Sequence, residues 1–524
     1  MNQKSRDQAS LQIRIDFVDK DTAIAQQCQE FLKQCINFIS TNISIKQRVT
    51  LVFTFILLYF ILFGGSGVDV QDGQPFLASP EEVDPLANVF PTEGDGMATA
   101  ILLNWSRLEN LKIIVKHLCR YSMFKEIIIW NNNVQVHLTD QIFAEVQCPK
   151  IRIYNSPGNM HFIARYIACT MATTEYCYFQ DDDWIINHMR AFYANFLRFP
   201  HLVHTDTNAD VYSLTNWKWC FFDDPVNLHV CFSWVGTGAF ASRENVIRFL
   251  KMAAVTEMDP TEFAYGDMYF TTYMNQVPYQ LENELTELPQ EFAFSAGEGR
   301  IRNKIYMHRA LIRLYDHLGK NTTPFEKLEH YPKIYQRDAR SPCSNDRCLF
   351  LTNKHSFPDV KLFRYKPYIN ISESEQIHES YYKTQHFIEF PYSHAVDGKD
   401  WTAWKSKENI HANDYIGLDL LLQMHVPLTF HLVVDHKNEY FGTQSVEISN
   451  DGLNWVKQSS VPIDIHKVSR TSDGKKTPVI SATFHIQNTG FRFVRVLSNR
   501  NFDFGYGVYD FSFHADMKSI QKKP

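Results

Sequence analysis

The sequence lacks several patterns that mark common classes of protein. It has no long basic run, and its formal net charge is -6, so we do not expect a nucleic-acid partner. It has no Cys-x-x-Cys pair with a matching His or Cys pair, which argues against a zinc site. Internal repeats are absent as well. A chain of 524 residues, of which 44% are hydrophobic and 21% charged, is instead expected to form about three globular units.

Long apolar runs are also scarce, and one stands out. Residues 49–63 read VTLVFTFILLYFILF and carry no charge. Lys46 and Arg48 precede this run, whereas the next basic residue after it is Arg107. This asymmetry predicts a transmembrane signal anchor over residues 49–65 with a cytosolic N-terminus. A signal peptide and a buried core helix are the alternatives, and the long preceding segment and the flanking charges argue against them. A span this short favours thin membranes, so we expect a single-pass type II protein of the Golgi or ER membrane.

The cysteines agree with that topology. Two of the ten precede the apolar run and would stay reduced in the cytosol, whereas the other eight would be lumenal, where disulfides form. Two pairs are candidates for local bridges: Cys343 with Cys348, and Cys220 with Cys231.

Apolar periodicity divides the rest of the chain. From Ala98 onward, strand and helix patterns alternate, which predicts an α/β domain with a mostly parallel sheet. From Phe390 the period changes to two, which predicts an all-β sandwich. The predicted organisation is a cytosolic tail (1–48), the anchor (49–65), a stem (66–97), the α/β domain (98–325), a connector (326–389), the sandwich (390–516) and a short tail (517–524).

An aromatic run that ends in three acids is the most informative feature of the chain. Residues 176–184 read YCYFQDDDW, and the first part suits a strand buried on both faces. In an open α/β sheet, ligands bind outside the carboxyl ends of the strands. Three carboxylates there require a cation, and oxygen ligands favour Mg²⁺ or Mn²⁺. Asp181 and Asp183 are therefore candidate metal ligands of a DxD motif, in which the protein shares the metal with a nucleotide-sugar diphosphate. A solvated loop or a helix-capping cluster is the structural alternative.

Residues 98 to about 320 resemble the C-terminal transferase domain of the exostosin family. The segments that carry the resemblance occur in the family's order: LNWSR (103–107), KEIIIWNN (125–132), Asn159, Arg165, DDD (181–183), VGTGAF (235–240) and GDM (266–268). The resemblance implies the GT-A fold, a Rossmann-like domain with a Mn²⁺-dependent, or Mg²⁺-dependent, site for a UDP-sugar donor.

The resemblance also implies roles for individual residues around the acids. Asp183 would hold the metal, Asp181 would contact the ribose or uracil, and Asp182 would support the site. The side chains that would line the nucleotide and donor sugar are Arg107, Asn132, Asn159 and Arg165.

Two further residues would act on the donor, one at its sugar and one at its diphosphate. Asp267 would be the catalytic carboxylate beside the anomeric carbon, and Arg302, or Arg300 equally well, would face the diphosphate. Gly266 stands where the family has Glu. The structural alternative for Asp267 is that it complements the dipole of the helix in whose first turn it lies.

Residues 390 to about 515 resemble a discoidin, or coagulation-factor type C, module. The resemblance rests on AVDG (395–398), TAWKS (402–406), IGLDL (416–420), VEISNDGLNW (446–455) and FVRV (493–496). It implies a β-sandwich whose end loops bind a glycan, a lipid headgroup or a protein. Many such modules join their ends by a disulfide, but the last cysteine here is Cys348. We therefore expect packing alone to close the module, Trp404 and Trp455 to lie in its core, and the module from Phe390 to fold by itself.

Together these patterns predict a membrane-anchored glycosyltransferase with a lumenal catalytic domain. It would move a hexose or an N-acetylhexosamine from a nucleoside diphosphate sugar to a glycan or glycolipid acceptor. The main alternative is a non-enzymatic, lectin-like membrane protein with a degenerate transferase scaffold, which Gly266 favours. A phosphodiesterase or phosphatase would need a His-rich metal site, and the sequence around the acids has none.

Overall fold

The computed structural model describes residues 97–207, 219–289, 298–324, 337–354, 362–382, 386–399, 401–435, 444–458, 461–472 and 475–515. The predicted cytosolic tail, the anchor and almost all of the stem lie outside these residues. Among the described residues, no helix is long and apolar enough to cross a membrane.

The described residues up to 324 form the α/β part of the protein. Its elements are, in order, β1 (Ala98–Asn104), α1 (Leu108–Cys119), β2 (Phe124–Asn131), β3 (Ile151–Asn155), α2 (Ile163–Thr170), β4 (Tyr176–Gln180), β5 (Trp184–Ile186), α3 (Met189–Arg198), β6 (His204–Thr207), β7 (Cys220–Asp223), β8 (Leu228–Cys231), β9 (Ala239–Ser242), α4 (Arg243–Val255), α5 (Pro260–Phe263), α6 (Gly266–Tyr273), β10 (Tyr279–Glu282), β11 (Leu285–Glu287) and α7 (Glu298–Gly319).

A seven-stranded sheet organises this part. Its strand order is β10-β6-β9-β4-β1-β2-β3. Strand β1 runs parallel to β2 and β4, whereas β9 is antiparallel to its neighbours β4 and β6. The predicted mixed α/β architecture is confirmed. Strand β4 lies in the middle of the sheet, so both of its edges are paired with neighbouring strands, and the three acids follow its carboxyl end.

Successive side chains of the strands enter apolar clusters on opposite faces of the sheet, because strand side chains alternate. Cys177 and Phe179 of β4 pack into the cluster formed with α2, α4, α6 and α7. Tyr178 packs into the cluster on the other face, with α1 and α3. Helices therefore cover both faces of the sheet, and polar groups can lie at the ends of its strands.

Four disulfides join all eight cysteines that the structure describes. Two of them confirm the predicted pairs, Cys343–Cys348 and Cys220–Cys231. The other two were not predicted: Cys119–Cys148 and Cys169–Cys177. The second of these ties the end of α2 to the start of β4, the strand that the acids follow.

The described residues from 337 onward form mainly the sandwich part. Its elements are β12 (Ala339–Pro342), β13 (Leu349–Thr352), β14 (Phe363–Arg364), α8 (Ile371–Tyr382), α9 (His386–Glu389), β15 (Trp404–Asn409), β16 (Tyr415–Met424), β17 (Leu428–Asp435), β18 (Gln444–Ser449), β19 (Val456–Lys457), β20 (Ile463–Ser472), β21 (Lys475–Ile486), β22 (Phe491–Ser498) and β23 (Gly505–Ala515).

Two sheets enclose the core of the sandwich part. Their strand orders are β12-β13-β16-β22-β18-β19 and β15-β23-β17-β21-β20. Trp404 is buried in the core between them, as predicted, whereas Trp455 is half-buried with the Arg495 guanidinium 3.9 Å from its ring centre. Strands β12 and β13 come from residues assigned to the connector, which therefore supplies two strands of one sheet.

The sandwich part is joined to the α/β part by buried polar and apolar contacts. Leu421 and Phe493 belong to the same apolar cluster as helix α3 of the α/β part. The Glu282 carboxylate at the end of β10 accepts hydrogen bonds from Tyr392 N (2.9 Å) and Ser393 Oγ (3.0 Å). The sheet and the packing of the predicted module therefore extend to residues before Phe390, and its ability to fold by itself stays a prediction.

A second polar contact starts helix α3. The Asp346 side chain, within the loop closed by Cys343–Cys348, accepts hydrogen bonds from Arg190 N (3.0 Å) and Ala191 N (2.8 Å). Both are amides of the first helical turn, which have no acceptor within the helix. An aspartate from the sandwich part thus supplies the cap that the N-cap residue His188 does not provide.

Candidate functional site

Three carboxylates stand at the carboxyl end of β4. Gln180 ends the strand, and Asp181, Asp182 and Asp183 follow before the short strand β5 begins. The Asp181 amide donates to the carbonyl oxygen of Gly236 (2.7 Å), and Leu288 N donates to the Asp183 carbonyl (2.8 Å). The backbone of this acid cluster is therefore fixed at both ends by neighbouring segments.

A buried arginine bridges the acid cluster to helix α6. Arg165 on α2 is 1% exposed, and its Nη2 lies 2.5 Å from Asp181 Oδ1 and 3.3 Å from Asp267 Oδ2. Tyr166 donates its hydroxyl to the other Asp267 oxygen (2.7 Å). The arrangement brings together three residues predicted for the site, namely Arg165, Asp181 and Asp267. It places Asp267 beneath Arg165, however, with no exposed surface.

A second arginine faces the other two acids. Arg107 follows β1, and its Nη1 lies 2.7 Å from Asp182 Oδ1 and 3.4 Å from Asp183 Oδ2. Its side chain keeps 19% of its surface exposed. The loops after β1 and β4 meet because these strands are parallel neighbours. The predicted residues Arg107, Asp182 and Asp183 therefore form one partly open charge cluster.

The charges of this cluster perturb one another. Burial, together with the charges of Asp181 and Asp182, raises the pKa of Asp183 to about 7. Burial also raises the pKa of Asp182, against the opposing charge of Arg107. In both groups, burial and like charge outweigh the nearby cation. The cluster thus holds negative charge that its own arginines do not fully compensate.

Burial and charge act differently on the buried pair of Arg165 and Asp267. Burial raises the pKa of Asp267 to about 6, although Arg165 acts in the opposite direction. Burial also disfavours the charge of Arg165, but the carboxylates of Asp267 and Asp181 outweigh it and raise the pKa of the guanidinium. Arg165 is therefore a permanent cation at the base of the site.

The donor set fits a divalent cation that is shared with a ligand. Within the described residues, no group of three or more His, Cys, Asp or Glu side chains is arranged to hold a metal ion by itself. Mg²⁺ and Mn²⁺ accept hard oxygen ligands, and Mg²⁺ is typically held by one or two carboxylates plus water and phosphate. Asp181 and Asp183 could supply those carboxylates, and the neighbouring negative charges that act on Asp183 favour a cation there.

A glycine loop closes tightly over Asp181. A Cβ atom at Gly236 would lie 2.2 Å from Asp181 Oδ2 and 2.7 Å from Trp234 Nε1. The loop must therefore carry glycine if the carboxylate is to keep its place. In the predicted VGTGAF segment, residues 235–238 form this loop and the last two residues begin β9.

Two predicted nucleotide-lining residues shape a loop instead of joining the acids. Asn132 donates from Nδ2 to the His161 carbonyl (3.0 Å) and accepts from Met160 N (3.0 Å). The Asn159 side chain, which is exposed, accepts from His161 N (2.8 Å). These bonds hold the turn between β3 and α2, so both residues position the segment that leads to Arg165.

Helix α7 carries the last predicted residue. Arg302 and the alternative Arg300 are both exposed in its first turns. In the described part of the chain, no hydrogen bond or ion pair connects either one to the acid cluster. The structure therefore does not bring Arg302 to the other predicted residues.

Two side chains that contact the site were not predicted. Tyr166 holds Asp267, and Asn110 on α1 donates from Nδ2 to the carbonyls of Asp182 and Pro289, both at 2.9 Å. Neither had a sequence signal, because tyrosine beside Arg165 and asparagine within an amphipathic helix are ordinary in those positions. Their roles depend on contacts with distant segments.

No family model and no curated protein matches the chain. Among solved structures, it is similar to glucosyl-3-phosphoglycerate synthase from Mycobacterium tuberculosis in complex with phosphoglyceric acid, with 11% identity over 48% of this chain and 89% of that one and a TM-score of 0.28. It is also similar to CpGH89CBM32-5 from Clostridium perfringens in complex with GalNAc-β-1,3-galactose, with 18% identity over 24% of this chain and 85% of that one and a TM-score of 0.17. At these TM-scores, the similarities carry no conclusion about this chain's function.

Proposed function

We propose that the chain is a metal-dependent glycosyltransferase with a GT-A domain of exostosin type. It would move a hexose or an N-acetylhexosamine from a UDP-sugar to a glycan or glycolipid acceptor. The observation that carries the proposal is the acid cluster at the carboxyl end of the central strand β4, flanked by Arg107 and Arg165. In an open α/β sheet, this is the place where ligands bind.

Asp181 and Asp183 would hold Mn²⁺ or Mg²⁺ together with the diphosphate of the donor. The bound ion would offset the charge that develops on the departing nucleoside diphosphate. Arg107 would pair with a phosphate oxygen of the donor, and its partial exposure beside these acids supports that role.

The buried residues act as positioning groups. Arg165 fixes one oxygen of Asp181, and Asp267 with Tyr166 fixes Arg165 from below. Because Asp267 is fully buried, we assign it the role of orienting Arg165 and not that of a carboxylate that touches the sugar. A buried arginine beside Asp181 would add positive charge to the donor site without a cost of reorganisation during the reaction.

We also propose that the protein is anchored in the Golgi or ER membrane as a single-pass type II protein. Two features support this address: the charge asymmetry around residues 49–63 and the pairing of all eight described cysteines in disulfides, which is typical of secretory compartments.

Release of nucleoside diphosphate from a panel of nucleotide sugars tests the proposed activity. The full chain is assayed with Mn²⁺, with Mg²⁺ and with EDTA, and the Asp183→Asn variant serves as the matched control. We expect metal-dependent release from at least one UDP-sugar, and its loss in the variant. If the folded, Mn²⁺-loaded protein releases no nucleoside diphosphate from any donor, the proposed activity is refuted.

One observation favours the non-enzymatic alternative. Asp267, the residue that the resemblance makes catalytic, has no exposed surface. A lectin-like scaffold would bind glycans but would release no nucleoside diphosphate, so the same assay separates the two functions.

A further inference from the structure

A cavity lies at the junction between the α/β part and the sandwich part. Its volume is about 220 Å³, and it is lined from both sides. The α/β part contributes His188 and the segment Glu282–Glu284, which begins with the last residue of β10. The sandwich part contributes Ser341, Pro342 and Ser344 around the end of β12, and residues of the loop from Ile388 to Lys399. Neither part forms this cavity alone.

The floor of the cavity contains a buried donor without an acceptor. Asn283 is 1% exposed, and its Oδ1 lies 3.1 Å from His188 Nδ1. Its Nδ2 is buried and has no hydrogen-bond partner among the described residues. Buried polar groups of native proteins are almost always paired. The amide therefore has hydrogen-bonding capacity that the described residues do not use.

The chemistry of the walls suits a neutral polyhydroxyl compound. Hydroxyl, amide, carboxylate and imidazole groups alternate with the apolar surfaces of Pro342, Ile388 and Pro391. Burial lowers the pKa of His394, whose ring is hydrogen-bonded to the Ala403 backbone, so at neutral pH the other ring nitrogen is an acceptor. Three carboxylates against the single ammonium group of Lys399 make the lining acidic, which disfavours phosphates and acidic sugars.

A short β-ribbon connects the cavity to the acid cluster. Strand β11 begins directly after Glu284, pairs with β5, and leads to Leu288, whose amide binds the Asp183 carbonyl. Four residue steps of extended chain span about 13 Å. A ligand that extends along this ribbon could therefore contact the cavity and the acid cluster at the same time.

We propose that the junction cavity binds one neutral sugar residue, a hexose or an N-acetylhexosamine, in the acceptor glycan at a position remote from the transfer site. The assignment to an acceptor rests on the proposed function, whereas the binding of a neutral sugar does not. The cavity would thereby give the two parts one shared ligand.

Binding to the full chain without any donor tests the sugar site. The probes are the methyl glycosides of galactose, glucose, N-acetylgalactosamine and N-acetylglucosamine, with glucuronic acid as the charged comparison, measured by saturation-transfer NMR and calorimetry. Ser344 is exposed at the rim, so Ser344→Tyr blocks the entrance without disturbing the core. Ser122→Tyr, at an exposed serine that does not line the cavity, is the matched control.

We expect at least one neutral glycoside to bind, and Ser344→Tyr to weaken it by about tenfold or more, whereas Ser122→Tyr has no effect. Binding of none of the neutral glycosides, or binding unaffected by Ser344→Tyr, would overturn the inference. If the protein releases nucleoside diphosphate but binds no glycoside, the proposed function stands and the sugar site is refuted. If it binds a glycoside but releases no nucleoside diphosphate, the sugar site stands and its assignment to an acceptor is refuted.

Discussion

Replacing Gly236 by alanine perturbs the acid cluster through a single methyl group. The added Cβ would stand 2.2 Å from Asp181 Oδ2, whereas ordinary van der Waals contact begins at 3.4 Å. The carboxylate must therefore retreat by more than about 1 Å or the loop must lift. Neither movement is easy, because Arg165 lies 2.5 Å from the other carboxylate oxygen and the Asp181 amide is bonded to the Gly236 carbonyl.

A misplacement of about 1 Å costs on the order of 100-fold in rate, which corresponds to about 2.7 kcal/mol of barrier. We expect Gly236→Ala to lower kcat/KM for Mn²⁺-dependent turnover of a UDP-sugar by about this factor. Initial rates at graded Mn²⁺ measure the effect, and thermal unfolding verifies the fold. Gly319→Ala is the control, because a Cβ there would meet only Val226 Cγ1 at 4.0 Å. Activity of a folded Gly236→Ala variant within about threefold of the parent would refute the role of Asp181.

Four further outcomes are expected. Asp183→Asn should stay folded and lose Mn²⁺-dependent turnover at limiting Mn²⁺ by about 100-fold or more; rates over a Mn²⁺ series check this, and an unchanged rate would contradict the metal assignment. Asp267→Asn should keep UDP–Mn²⁺ binding in calorimetry but slow transfer, because Arg165 loses one of its two carboxylates; lost binding would contradict that role. Burial raises the pKa of Asp346 to about 6, so the folded state binds this proton more tightly than the unfolded chain. The contribution of this group to the free energy of unfolding is greatest at low pH and falls by about 3 kcal/mol as pH rises through 4 to 6. Asp346→Asn keeps a cap and should remove this pH dependence. Urea unfolding of both proteins across this range measures it, and an equal dependence in both would contradict the assignment. A chain ending at residue 325 should unfold at a lower temperature than the full chain, and an equal Tm would show that the α/β part is independent.

The local features of the α/β part were predictable because they depend on short-range patterns. Strands β1 to β4 and helices α1 and α2 each carry their own apolar periodicity. The acids at the end of β4 were found because three charges cannot continue a strand that is buried on both faces.

Contacts between distant segments were not predictable in the same way. Arg165 and Asp267 are separated by about a hundred residues, and only the packing of α2 against the start of α6 brings them together. The burial of Asp267 follows from that packing, so its change of role could not be seen in the sequence. Strands β12 and β13 were missed because four-residue strands within a polar segment carry little periodicity.

The cap that Asp346 places on helix α3 has a consequence for biosynthesis. The aspartate follows the capped amides by 155 and 156 residues. At about 5–20 residues per second, translation needs on the order of ten seconds to deliver it. Throughout that interval the nascent α/β part carries an unfinished helix start and an uncovered apolar surface. The first turn of α3 therefore receives its cap only after the second half of the chain has been made, and chaperones would have this interval in which to bind the uncovered surface.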